Sequence, residues 1–240
     1  MSGHSKWATT KRAKGVTDAK RANLFTKLAR NITLAAKDGG DPAMNFKLRI
    51  AVDKAKEGNM PKDNIDRAIK RGTGAGDGTI LEELTYEGFG PGGSAFIVEV
   101  VTDNHNRAAA EIKHLFNNHG GSLGSANSVS WMFHKMGGIK AVKPASQPQE
   151  DAELAVIDAG ADDLEWLDEA TVWVYTKPTE LQKVKEALET KNFTITDSEL
   201  GYKPKETLPV PDTLRPAMEK MYDALDEAED VQNFWSNMAV

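Results

Sequence analysis

The stretch IKAVKPASQPQEDAELAVIDAGADDLEWLDEATVWVYTKPTELQKVKEALETKNFTITDS, residues 139–198, decides the fold. Ile139 to Lys143 reads as a strand, Glu150 to Ala159 as a helix and Asp163 to Leu167 as a strand. Thr171 to Thr176 is a strand, Thr179 to Thr190 a helix and Phe193 to Ser198 a strand. The order β-α-β-β-α-β is that of a ferredoxin-like split βαβ unit. Working outward, the last forty residues hold one helix, Thr213 to Ala228, and one short strand, Val231 to Trp235. That is too little for a domain. Upstream, Glu82 to Phe89 and Ser94 to Thr102 are strand-like and joined by Gly90 to Gly93. A helix follows from Asn106 to Asn118, then a strand from Ser128 to Phe133. The C-terminal helix and strand are expected to complete this earlier unit. The third domain is then inserted into the second.

The first seventy residues read as helices. Thr17 or Asp18 caps a helix to about Lys37, closed by Gly39 and Gly40. Asp41 and Pro42 start a second, ending near Gly58. Asn59 caps a third, with Pro61 in its first turn, ending at Gly72. The glycines at 72, 74, 76 and 78 read as a linker. The expected architecture is α+β: an N-terminal three-helix domain, then two ferredoxin-like α/β domains, the third inserted into the second. The expected boundaries are 1–76 for the basic helical domain with its tail, 79–136 plus 205–240 for the discontinuous domain, and 137–204 for the insert.

Charge is partitioned along the chain. Residues 1–72 carry 17 Lys+Arg and 7 Asp+Glu, a balance of +10. The remainder carries 13 basic and 29 acidic residues, a balance of −16. Such asymmetry points to a nucleic-acid or membrane partner for the basic part, the alternative being a solvated basic helix bundle. On a wheel at about 100° per residue, with Lys20 at zero, Lys27, Asn23, Arg30 and Lys37 fall between ~260° and ~340°. Phe25, Leu28, Ala29, Ile32 and Ala36 fall between about 80° and 180°. The cations thus lie opposite the apolar stripe, along about 25 Å of helix, which fits a phosphate backbone or an ordinary solvated face. Two residues fit poorly: Leu34 falls on the basic side and Arg21 on the apolar side. In the tail, Lys6, Lys11, Arg12 and Lys14 flank Trp7. Cations around an aromatic suit phosphate contacts combined with base stacking, and Trp7 as an anchor of the tail on the helices accounts for the same residue.

Catalytic chemistry finds little support. Thr102-Asp103-Asn104-His105-Asn106-Arg107 sits where a strand gives way to a helix. His105 and Asp103 could act as acid and base there, but Asp103 or Asn104 as a helix cap accounts for the same residues. Arg107 opposes the helix dipole in the first turn and needs an anionic partner, either inside the protein or on a ligand. His114 and His119 point to different helix faces, and the chain has no cysteine, so no metal or cofactor is expected. No apolar run approaches the roughly 20 residues of a membrane span, and the start carries no apolar leader. A cytoplasmic location is expected. With no dimer heptads, so is a monomer.

Several motifs together resemble the YebC/PmpR family. These are Gly3-His4-Ser5-Lys6-Trp7, Asp18-Ala19-Lys20-Arg21, Asn59-Met60-Pro61-Lys62-Asp63 and Tyr86 to Gly93. Thr102 to Arg107, Gly120-Gly121, Trp131-Met132-Phe133 and Asp230-Val231-Gln232 continue the match. The resemblance implies three domains and no catalytic residues. Its members are labelled DNA-binding transcriptional regulators, while relatives that include a mitochondrial activator of translation are linked to ribosomes and to easing stalled synthesis. His105 and Ala108 stand where the family pattern has Arg and Thr, and Asn127 where it has Gly. The implied partner is nucleic acid, either DNA or ribosomal RNA, with the ribosome itself a possible partner. The expected contacts are Lys6, Trp7, Lys11, Arg12, Lys14, Lys20, Lys27, Arg30, Lys37 and Arg107. The alternative is an enzyme at the Asp103 to Arg107 loop.

Overall fold

A computed structural model describes residues 18–75 and 80–239. Three helices come first: α1 (Asp18–Ala35), α2 (Phe46–Glu57) and α3 (Lys62–Lys70). Leu28 and Ile32 of α1 pack with Leu48 and Val52 of α2 and with Ile65 and Ala68 of α3. The second helix begins later than Pro42. Its cap is Asn45, whose side chain accepts from the Leu48 N–H at 3.0 Å and donates to the carbonyls of Ala35 and Gly39. One buried amide thus ends α1 and starts α2. Asn59 does not cap α3. It turns the chain at φ 58°, a left-handed backbone that Asn tolerates. Gly72 is a packing residue rather than the start of a linker, because a Cβ there would sit 2.3 Å from the Thr33 carbonyl.

The same compact unit contains a four-stranded sheet built from β1 (Glu82–Phe89), β2 (Ala95–Thr102), β3 (Ser122–Leu123) and β9 (Val231–Ser236). The strand order is β3-β1-β2-β9. The chain reaches β9 only after the insert. There Val98 of β2 faces Phe234. Helices α4 (His105–Asn118) and α7 (Arg215–Glu227) cover one face. Phe96 meets the edges of Phe116 and Tyr222 with ring centroids 5.9 and 5.7 Å away. A short parallel pair joins β8 (Leu208–Pro209), which precedes α7, to β10 (Met238–Ala239).

Residues 128–133 are not a strand of this sheet. Residues 130–132 form a single tight helical turn, and the third strand is Ser122–Leu123. The reason is Glu87, only 8% exposed. Its carboxylate accepts from the N–H groups of Asn127 (2.9 Å), Val129 (2.7 Å) and Ser130 (2.8 Å). Those amides are satisfied by a side chain and need no strand partner.

The insert is a second compact unit, residues 133–203. It comprises β4 (Phe133–Val142), α5 (Gln149–Asp158), β5 (Asp163–Trp166), β6 (Thr171–Thr176), α6 (Leu181–Thr190) and β7 (Thr194–Pro204). Its strand order, β5-β6-β4-β7, is that of the split βαβ fold. The second sheet has the same layers, four strands under two helices, but opens on a hairpin and so differs in strand order. Strand β4 runs through Gly137 and Gly138 instead of starting at Ile139. A Cβ on Gly138 would lie 2.5 Å from the Trp173 ring, so glycine here permits close packing within a strand.

Candidate nucleic-acid interface

The basic side of α1 is occupied from within the protein. Asn23 donates to the Glu227 carbonyl at 2.9 Å, and Lys27 to the Asp226 carbonyl at 2.6 Å. Arg30 donates to the Glu229 carbonyl at 2.8 Å. These carbonyls lie at or just beyond the C-terminal end of α7, where a helix leaves its last acceptors unsatisfied and favours positive charge. Lys37 reaches the Leu81 carbonyl. Leu34, half-buried on the same side, is the apolar residue that looked misplaced on the wheel. It is the sequence signal that this face is partly covered.

Asp230 is the centre of the contact. Its residue is 3% exposed. Arg30 meets one carboxylate oxygen at 2.6 Å and Arg107 the other at 3.0 Å. The Thr102 hydroxyl donates to it at 2.9 Å. Burial pushes the carboxyl up, but hydrogen bonds from Arg107 and Thr102 and the charges of Arg30 and Arg107 outweigh it, so Asp230 lies below its usual value of 3.8. Arg107 also pairs with Asp103 at 2.8 Å. Its anionic partners are therefore internal, which resolves the oddity of a cation in the first turn. Asn104 is the cap, accepting from the Arg107 N–H at 3.1 Å. His105 pairs with Glu82 at the surface. Thr102, Asp103, Asn104, His105 and Arg107 thus have structural partners.

Of the other expected contacts, Lys6, Trp7, Lys11, Arg12 and Lys14 lie outside the described residues. Lys20 is in the first turn of α1, and its side chain lies outside them too. Sequence reasoning passed over two carboxylates that organise the unit, Glu87 and Asp230, although each stands inside a motif quoted above. It also passed over the exposed lysines of α2 and α3, which follow no single stripe. Trp131 is 67% exposed, with its indole N–H donating to the Ser128 carbonyl at 3.1 Å. Among the described residues no His, Asp and Glu cluster could hold a metal, and no helix is long and apolar enough to cross a membrane.

Comparison with known proteins covers almost the whole chain. Residues 5–75 match a family described as the TACO1/YebC protein N-terminal domain, and residues 81–238 match the TACO1/YebC second and third domain. A probable transcriptional regulatory protein of Thermoanaerobacter pseudethanolicus is 48% identical over 241 residues, covering 100% of this chain and 98% of the relative. One of Chlorobaculum parvum, with the same description, is 49% identical over 243 residues, covering 100% and 96%. A crystal structure of a conserved hypothetical protein from Aquifex aeolicus superposes with a TM-score of 0.84 at 39% identity, over 92% of this chain and 91% of that one.

Proposed function

The chain belongs to the TACO1/YebC family, and from that premise we propose that it is a non-enzymatic regulator of gene expression that acts by binding nucleic acid through its N-terminal helical domain. The observation that carries the reading is the concentration of positive charge there, 17 basic against 7 acidic residues in 1–72 of a chain with net charge −6. The relatives' names supply the regulatory half. A non-enzymatic role is supported by the Asp103 to Arg107 loop, whose groups cap a helix and pair with Asp230, Asp103 and Glu82.

The names of the relatives point to transcription, and a DNA-binding regulator is the first form of the proposal. The geometry favours a second form, in which the ligand is single-stranded or looped RNA and the regulation is of translation. The straight basic side of α1, which would lie along a duplex backbone, is engaged by α7 and Asp230 instead. Apart from Arg21 on α1 and Arg71 just past α3, the other described cations of the helical domain are scattered over α2 and α3, where they suit an irregular strand better than a groove. The expected contacts are the tail residues Lys6, Trp7, Lys11, Arg12 and Lys14 with Lys20. Lys27, Arg30, Lys37 and Arg107 join them only where nucleic acid displaces their internal partners. The test is crosslinking in cells followed by sequencing of the bound nucleic acid. Ribosomal or transfer RNA supports the second form and promoter DNA the first. Recovery of neither, above a chain lacking residues 1–72, overturns both.

A further inference from the structure

The helical domain holds a groove of about 580 Å³ between the turn at Gly40 and Pro42 and helices α2 and α3. That volume lies within the roughly 300–1,000 Å³ range of small-ligand sites. Its floor is apolar: Val52, Met60, Ile65 and Ile69. Its rim is mostly cationic, with Lys56, Lys62 and Lys70 against a single acid, Asp66. Lys56 keeps Asp53 at 3.5 Å in an exposed pair, the weak kind that another anion can displace. Lys62 and Lys70 are exposed. They stand eight residues apart on α3, about 12 Å along the axis, a spacing that suits two phosphates of one strand.

We propose that this groove is a nucleotide-binding site for a single-stranded or looped polynucleotide, with one base seated on the Val52, Met60, Ile65 and Ile69 floor and the flanking phosphates on Lys56, Lys62 and Lys70. A flat ring with anions on either side matches a slot with an apolar floor and a cationic rim. The Met60 thioether adds a favourable sulfur–ring contact. The site deepens the nucleic-acid reading above and rests on it. It narrows that reading to one groove on α2 and α3, away from the α1 stripe, and adds a seat for a base.

The test uses the full chain, labelled with ¹³C at its methionine methyls, and three probes: a single-stranded oligoadenylate, an abasic ribose-phosphate strand of equal length and a polyglutamate peptide. Met60→Leu assigns the Met60 signal. The expected result is an upfield ring-current shift of Met60 with oligoadenylate and none with the abasic strand. Lys56→Ala/Lys62→Ala/Lys70→Ala should weaken oligoadenylate binding at least tenfold, and Lys→Arg at the same positions should restore it. The salt slope of log K should fall by about 2, at about 0.7 per phosphate lost. An unmoved Met60 signal in a chain that binds oligoadenylate overturns the groove and leaves the general reading standing. An equal shift from the abasic strand removes base insertion. Equal affinity from a polyglutamate peptide, lost in the same Lys→Ala variant, assigns the groove to acidic protein instead. No oligoadenylate binding at all sinks the groove whatever crosslinking recovers.

Discussion

Asp230 carries more of the molecule than its place in a loop suggests. Two guanidinium groups and a hydroxyl converge on one buried carboxylate. Replacing it with Asn leaves Arg30 and Arg107 facing a neutral group. Arg107 is half exposed and Arg30 has Glu229 beside it, so the cost falls below that of stranding fully buried charges. Asp230→Asn should lower stability by about 1–3 kcal/mol at neutral pH, read from urea melts. The pH dependence follows in sign. The folded carboxyl lies below 3.8, so its contribution is present above that value and disappears as pH falls through the folded pKa. The gap between wild type and Asp230→Asn should therefore be widest near neutrality and close below about pH 4. A gap that widens in acid would mean that Asp230 is not held as an anion. Glu87 makes the companion case. Burial raises its carboxyl, but the N–H groups of Val129, Ser130 and Asn127 and the Ser130 hydroxyl bring it below its usual 4.5. Glu87→Gln sets an amide NH₂ against backbone donors and should cost about 2–3 kcal/mol. Amide exchange at Asn127, Val129 and Ser130 should speed up before any change at β2. Unchanged exchange there would remove Glu87 as the organiser of the turn.

At the scale of elements, helix α1 shows what sequence can and cannot say. Its length, its apolar stripe and its closure by Gly39 were legible, because each depends on residues within one or two turns. The partner of its polar side was not, because Asn23, Lys27 and Arg30 meet residues about 200 positions away. No local periodicity encodes that. The misplaced Leu34 was the only hint. The Ser128 to Phe133 strand failed for a related reason: its amides found a distant carboxylate. Gly137 and Gly138 misled in the opposite direction, since glycine that reads as a break also serves where a ring packs on the backbone. Lys27→Glu with Arg30→Glu would place acids against carbonyls and beside Asp230. The double variant should lose about 2–4 kcal/mol and show faster amide exchange in α1. Loss of nucleic-acid binding in that variant is informative only per folded molecule. If its melting is unchanged, the docking of α1 on α7 contributes nothing to stability. Within β4, Gly138→Ala should overpack against Trp173 and cost about 1–3 kcal/mol, read from the melting of the insert.

At the scale of the molecule, the insert is the feature whose removal tests the architecture. The Lys205 N–H donates to the Met132 carbonyl at 2.9 Å, so the chain leaves and re-enters the second domain at adjacent points. A linker of about three glycine or serine residues can close that gap with little loop-closure cost. The sheet that remains, β3-β1-β2-β9, keeps its helices α4 and α7 and its Asp230 contacts. A chain lacking 133–204 is therefore expected to unfold in one cooperative transition, with amides of β2 and β9 still protected. A diffuse transition, or rapid exchange over 231–236, would show that the second domain does not stand without the insert. The same deletion separates charge from contact. Residues 133–204 hold 8 basic and 14 acidic residues, a balance of −6, and the rest of the chain holds 22 of each. The insert thus carries the whole net charge of the protein. If nucleic acid binds on the helical domain alone, deletion removes only a long-range repulsion. Affinity for a single-stranded oligonucleotide should then rise a few-fold at low salt, and the two curves should converge as the Debye length shortens toward about 8 Å near physiological ionic strength. A loss of affinity that persists at every salt concentration would instead place part of the binding surface on the insert.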